Sequence, residues 1–293
     1  MMMNSNLALC CYLALVLLLG FTVACAEPAS VTEIEEAEVI ATEAVVRAPE
    51  TEANRQARAI IEAATAAAGL EGMNEAAFAF RFRDKEYRYQ QTNGTFTYER
   101  WWTDSTTTEV TRDVLDNNGL VRYIDGKIAV ITEKKRKAYS NSVNSVIYFA
   151  FMPWVLNDPA VIPTYLGRDT IKGEVLDQIE IAFTTDNGGE DADDEYMYWF
   201  TPDTRQLKYL AYSHPGGKAP RLREANNERE VDGIIVRDYH NWNTPGNKAR
   251  SIKELPAGFD AGELNLLSEI NLEEVRRLEV REDRQRGGAA INQ

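Results

Sequence analysis

Short runs of alternating apolar and polar residues, each closed by a tight-turn dipeptide, recur along most of this chain. They limit the body to a meander of antiparallel strands. Phe78, Phe80 and Phe82 alternate with Ala79, Arg81 and Arg83, Tyr87 and Tyr89 flank Arg88, and Phe96 and Tyr98 flank Thr97. A period of two places one set of side chains on each face of a sheet, so these runs read as half-buried strands. Asn93-Gly94, Asn118-Gly119, Asp125-Gly126 and Lys172-Gly173 supply hairpin turns, and Val231-Asp232-Gly233 supplies another. Beyond the first hairpins, TTTEVTRDVLD, LVRYI, KIAVIT, DTIKG, VLDQIEIAFT, EYMYWF, QLKYLAYS, APRLREA and GIIVRDYHNW continue the pattern. The strands imply one antiparallel sheet, partly or fully closed.

Two stretches change to helical spacing. In NRQARAIIEAATAAAGL, residues Ala57, Ile60, Ile61, Ala64 and Ala68 fall on one stripe that stops at Gly69. A second helix is predicted from about Arg136 to Met152, with Val143, Val146, Ile147, Ala150 and Phe151 in phase and Pro153 ending it. Its first half, YSNSVNS, is polar on several faces, and its second, VIYFAFMPW, is apolar nearly all round, as a helix enclosed by protein must be. A Pro-containing loop is predicted over Asn157 to Pro163, and LPAGFDAGELNLLSEINLEEVRRL supplies a short helix and one further segment. The fold class is therefore α+β, in one domain over residues 53–280 with a tail at 281–293.

The N-terminus has a different character. Leu7 to Ala24 is eighteen residues without a charge, followed by Cys25, Ala26, Glu27 and Pro28. Such a run reads as a signal peptide over 1–24, with a retained membrane anchor as the other reading. Thr22-Val23-Ala24-Cys25 resembles a bacterial lipobox, in which the cysteine is lipidated and starts the mature chain. Ala24-Cys25-Ala26 also fits ordinary signal peptidase cleavage. Residues 26 to 52 hold eight Glu and one Arg with no aromatic residue, too little apolar surface to offset the cost of ordering, so 25–52 reads as a lipidated cysteine and an acidic tether. The three cysteines, Cys10, Cys11 and Cys25, all precede the body, which can form no internal disulfide.

Charge narrows the partners. The chain has 32 Lys and Arg against 46 Asp and Glu, a net charge of -14, which argues against nucleic acid and against a basic lipid-docking patch. Two His and no CxxC give no closed zinc site, and no cofactor or metal is assigned. There is no GxSxG, HExxH, Walker or GxGxxG motif, and nothing selects one carboxylate pair as a glycosidase pair.

Against this map, FRFRDKEYRY, NSVNSVIYFAFMPWVLNDPAV followed by YLG, YMYWFTPDTRQLKYLAYS and RLREANNEREVDGIIVRDYHNW resemble an uncharacterised family of Bacteroidota lipoproteins, a domain of unknown function. The resemblance covers about residues 55 to 275 and is most specific in NSVNSVIYFA. That family is similar in outline to the Lol-type lipoprotein carrier and receptor fold. The likeness implies a sheet curved into a half-barrel with helices covering its concave side, and noncatalytic binding of an apolar or amphipathic ligand such as a lipid or lipoprotein acyl chain. Ala26, directly after Cys25, gives no inner-membrane retention signal of the enterobacterial kind, so an outer-membrane lipoprotein facing the periplasm or the medium is expected. A structural or interaction module without a small-molecule site is the alternative, and an enzyme acting on an envelope glycan or small molecule is a third reading.

Three residue sets follow. Phe149, Phe151, Met152 and Trp154, with Tyr196, Tyr198, Phe200, Tyr209 and Tyr212, either line an apolar site or form an ordinary core. Arg221, Arg223, Glu224, Asp238 and His240 either converge as a polar pocket, with Asp238 orienting His240, or face solvent as a charge lattice; His214 is expected in a turn. The acids Asp186, Glu190, Asp191, Asp193, Asp194 and Glu195 form a loop that either coordinates calcium with Asn187 or is simply solvated.

Overall fold

The computed structural model describes residues 50–184, 194–214 and 219–281. All of these belong to one compact unit, Pro49–Gln293. Cys25, the leader and most of the tether lie outside the described residues, as do the tail beyond 281 and most of the acidic loop.

Among the described residues, fourteen strands form two seven-stranded antiparallel sheets. Sheet A runs in the order β14 (Leu272–Leu278), β1 (Ala76–Phe82), β2 (Lys85–Thr92), β3 (Thr95–Thr103), β4 (Val110–Asp116), β5 (Gly119–Ile124), β6 (Lys127–Ile128). Sheet B runs β13 (Asn265–Ile270), β12 (Ile234–Asn243), β11 (Arg221–Val231), β10 (Leu207–Ser213), β9 (Glu195–Phe200), β8 (Glu174–Phe183), β7 (Val161–Ile171). Four of the predicted turns pass through two successive residues with positive φ: Asn93-Gly94, Asp125-Gly126, Lys172-Gly173 and Asp232-Gly233. This geometry matches the right-handed twist of the flanking strands.

Two expectations are corrected. The single sheet, curved into a half-barrel, is replaced by two open sheets, neither closed nor strongly curled. The division falls at Asn271, the one residue between β13 and β14: β13 is the edge of sheet B, whereas β14 pairs with β1 in sheet A. The predicted loop from Asn157 to Pro163 is partly strand, because β7 starts at Val161. Pro163 is tolerated there because β7 is an edge strand, where a missing N–H breaks no ladder.

Helix α1 (Glu52–Ala67) starts at a capping box in which Thr51 and Asn54 exchange hydrogen bonds, and the predicted stripe Ala57, Ile60, Ile61, Ala64 is its buried face. It packs on β7. Its C-terminal end meets the β11–β12 hairpin, where Ile235 N–H donates to the Ala68 carbonyl at 2.8 Å. Helix α2 (Glu133–Ala150) lies on β3, β4 and β5. Its two halves meet different surfaces. Val146, Ile147, Phe149 and Ala150 enter the main core with Phe78, Phe80, Tyr89, Tyr198 and Phe200, whereas the polar first half covers a charged part of sheet A. A short helix α3 (Leu255–Asp260) covers the other face of sheet B, where Met197, Trp199, Tyr209 and Leu222 meet Leu255 and Phe259. Sheet B is thus buried on both faces, which is why EYMYWF is apolar without alternation.

Candidate functional site

Of the nine aromatic and apolar candidates, eight share one cluster. Phe149, Phe151, Met152, Tyr198 and Phe200 are buried in the main core, and Trp154, Tyr196 and Tyr212 pack against it while partly exposed. The interior is filled: the Phe151 ring centroid lies 4.8 Å from Tyr89, 5.7 Å from Phe78 and 5.9 Å from Phe80. Phe149 meets Phe82 at 5.3 Å. Tyr209 is not part of this set. It faces α3, 5.9 Å from Phe259, on the opposite face of sheet B. Strand alternation sets this, Tyr209 and Ala211 facing α3 and Leu210 and Tyr212 the main core, and a register shift between Leu207 and Tyr209 turns Leu207 to the main-core face. Burial pushes the Tyr209 phenol up to about 12.

What stays accessible is a row of rings across neighbouring strands. Phe183 on β8, Tyr196 on β9 and Tyr212 on β10 follow one another at 5.6 Å, edge to face, and 6.2 Å, stacked. Arg223 on β11 completes it, its guanidinium 5.1 Å from the Tyr212 ring and 5.0 Å from Phe149, with Nη2 donating to the Tyr212 hydroxyl at 3.1 Å. The Arg223 Nε is buried and has no hydrogen-bond partner among the described residues. A buried N–H without an acceptor costs its desolvation, and the residue opposite Arg223 on β12, Asn241, has a buried Oδ1 that is likewise without a hydrogen-bond partner. Beside the middle of the row, Asp194 accepts from Tyr196 at 3.0 Å and contacts His214 Nδ1 at 2.5 Å, and the His214 ring lies 5.4 Å from Tyr212. Asp194 is therefore engaged by its neighbours; of the proposed calcium loop, Asp186, Asn187, Glu190, Asp191 and Asp193 lie outside the described residues.

The five polar candidates divide between faces. Arg223 is on the helix side, whereas Glu224 is on the α3 side, where its Oε2 lies 3.3 Å from His240 Nδ1 and accepts from Trp242 Nε1 at 3.2 Å. Arg221 donates to the Ala219 carbonyl at 2.5 Å. Asp238 and His240 both line a polar cleft of about 600 Å³ with Asn227, Arg229, Glu269 and Glu273, at the seam between the sheets. They do not form a pair. Asp238 accepts from Asn227 Nδ2 at 2.5 Å and from Leu272 N–H at 2.8 Å, and Arg229 lies 3.1 Å away, so this carboxylate fixes the start of β14. It does not orient a general base.

The sequence reading missed a buried charge network in sheet A. Asp113, wholly buried on β4, accepts from Arg100 Nη2 at 2.5 Å and Nε at 3.1 Å, and from Arg122 Nε at 2.7 Å and Nη2 at 2.9 Å. Arg100 Nη1 also reaches Ser142 at 2.7 Å, and Arg122 lies 3.5 Å over the Tyr139 ring. This accounts for the polar half of α2. The cross-strand pairing of Asp113 with both Arg100 and Arg122 was the available signal, once the registers of β3, β4 and β5 were known.

Several solved structures are similar in outline. A LolA superfamily protein from Nitrosomonas europaea matches at 10% identity and a TM-score of 0.42, over 77% of this chain and 94% of that one. A putative outer membrane lipoprotein-sorting protein domain from Vibrio parahaemolyticus matches at 10% identity and 0.44, over 78% and 95%. A DUF1329 family protein from Desulfovibrio piger matches at 9% and 0.38, over 75% and 92%. No curated protein matches the sequence. The family of unknown function DUF6503 matches residues 50–272, most of the chain and nearly all of the described body, and the chain belongs to that family.

Proposed function

We propose that this protein is a noncatalytic binding domain of the cell envelope that takes an amphipathic ligand with an anionic head. In this reading Cys25 is the lipidated anchor, residues 26–52 space the body from the outer membrane, and residues 53–280 bind. The observation that carries it is Arg223, a guanidinium resting on the Phe149 and Tyr212 rings with a buried Nε that nothing accepts from. An anionic head would satisfy that donor, and the ring row Tyr212, Tyr196 and Phe183 offers its chain an apolar track. In this reading the ligand lies along the row, since Phe151, Tyr198 and Phe200 behind it are buried in the main core.

The second reading, a structural module without a ligand, is favoured by that same filled core. Titration of the full chain with palmitate, followed by displacement of a fluorescent fatty acid, separates the two. Binding by the native chain that weakens about tenfold or more in Arg223→Gln supports the proposal. Equal affinity for palmitate and its neutral alcohol would remove the anionic head from it, and no binding of either leaves the structural module as the function.

A further inference from the structure

A second surface runs against the charge of the whole chain. Residues 122–137 hold Arg122, Lys127, Lys134, Lys135, Arg136 and Lys137 against Asp125 and Glu133, six basic and two acidic, or +4, in a protein of net charge -14. Two of the bases turn inward: Arg122 to Asp113, and Arg136 to the Leu120 carbonyl and Glu133. Lys127, Lys134 and Lys135 are exposed. Between them lie Ile128 at 69% and Val130 at 103% of full exposure, the two most exposed large apolar side chains among the described residues.

The position sharpens the contrast. β6 is only two residues long and ends sheet A, and the chain then runs from Ala129 to Thr132 without strand structure into α2. A lysine on an edge strand is a common guard against edge-to-edge pairing, and Lys127 alone would be explained that way. Ile128 and Val130 are not, because an edge defended against association does not present its largest apolar groups to water. Exposed apolar side chains flanked by lysines are the combination that seats a protein on an anionic bilayer: the apolar groups enter the headgroup region and the ammonium groups meet the phosphates.

We infer that the β6 edge and the start of α2 form a docking surface for an anionic phospholipid membrane, with Ile128 and Val130 inserted and Lys127, Lys134 and Lys135 on the headgroups. The surface is on sheet A and shares no residue with the Arg223 row on sheet B. It sets how the body lies against a bilayer, and it reverses locally what the total charge implies.

Flotation of the full chain tests it, with vesicles of phosphatidylcholine alone and of equimolar phosphatidylcholine and phosphatidylglycerol. The apolar N-terminal segment contributes to both, so the readout is the ratio of the two partition coefficients. The native chain should favour the anionic vesicles by about tenfold or more, and the preference should fall steeply with added salt. Lys127→Glu/Lys134→Glu/Lys135→Glu should bring the ratio to near one with an unchanged melting temperature. Val130→Asp, a change at a fully exposed position that folding does not need, should lower binding to anionic vesicles severalfold. Equal partition of the native chain, or a ratio unmoved in both variants, would overturn the inference; so would capture of an acidic protein by this surface without any preference for the anionic lipid.

Discussion

A β-carbon placed on Gly69 would lie 2.1 Å from the carbonyl oxygen of Gly233. The backbone after α1 and the turn of the β11–β12 hairpin approach so closely that no side chain fits, and Gly69 also holds a φ of +67°. This contact, beside the Ala68–Ile235 hydrogen bond, fixes the first helix to sheet B. Gly69→Ala is expected to destabilise the domain by about 3 kcal/mol, combining the left-handed backbone penalty with displacement of the hairpin. Urea unfolding measures it, and a loss under about 1 kcal/mol would mean that the hairpin yields freely.

Asp113 holds two arginines under α2, and removing it leaves both without their acceptor. Asp113→Ala should cost about 3–5 kcal/mol, as breaking a buried ion pair does. Glu52, an exposed acid paired with Arg55, is the control: Glu52→Gln should change stability by about 0.5 kcal/mol or less. Similar effects from the two substitutions would show that water reaches the Asp113 site.

Arg223 distinguishes a ligand site from a structural role. If its unpartnered Nε is held for a ligand, Arg223→Met should keep or raise the melting temperature of the ligand-free protein, since the methionine covers Phe149 and Tyr212 and has no donor to satisfy. The same variant should lose affinity for palmitate. A fall of several degrees in melting temperature would instead make Arg223 part of the scaffold.

Tyr209 gives a pH dependence with a defined sign. Burial raises its phenol from the usual 10 to about 12, so the folded state disfavours the phenolate and the unfolded state does not. Stability from this group is full below pH 10 and is lost as pH rises toward 12, because the unfolded chain releases its proton first. Unfolding free energies measured across that interval should fall less steeply in Tyr209→Phe than in the native chain. Identical slopes would mean that Tyr209 ionises in place.

Much of the scaffold was legible because local chemistry and tertiary structure agree. The α1 stripe ends at a glycine that the packing demands, and the Gly-containing dipeptides mark hairpins. The C-terminal LNLLSEINLEEVRRL was harder. Its helix-forming Leu and Glu residues point one way, and the free edges of β12 and β1 recruit it as two strands, so long-range pairing prevails over local preference. The Tyr209 error was avoidable in part, since positions 209 and 212 differ in parity and fall on opposite faces of any regular strand. The unpartnered Nε of Arg223 was not readable, because it depends on how β10, β12 and α2 come together around it. Asp113 looked like any polar residue on an alternating strand until α2 covered it.

The pairing of β1 with β14 has a consequence for how the chain is made. Phe82 lies opposite Leu272, so the outer neighbour of the first strand is among the last parts of the body to be synthesised. Sheet A is incomplete on the ribosome until residues 272–278 have emerged, and contacts so distant in sequence form slowly. A polypeptide built this way cannot complete its first sheet from local contacts, so the two ends of the body fold together or not at all.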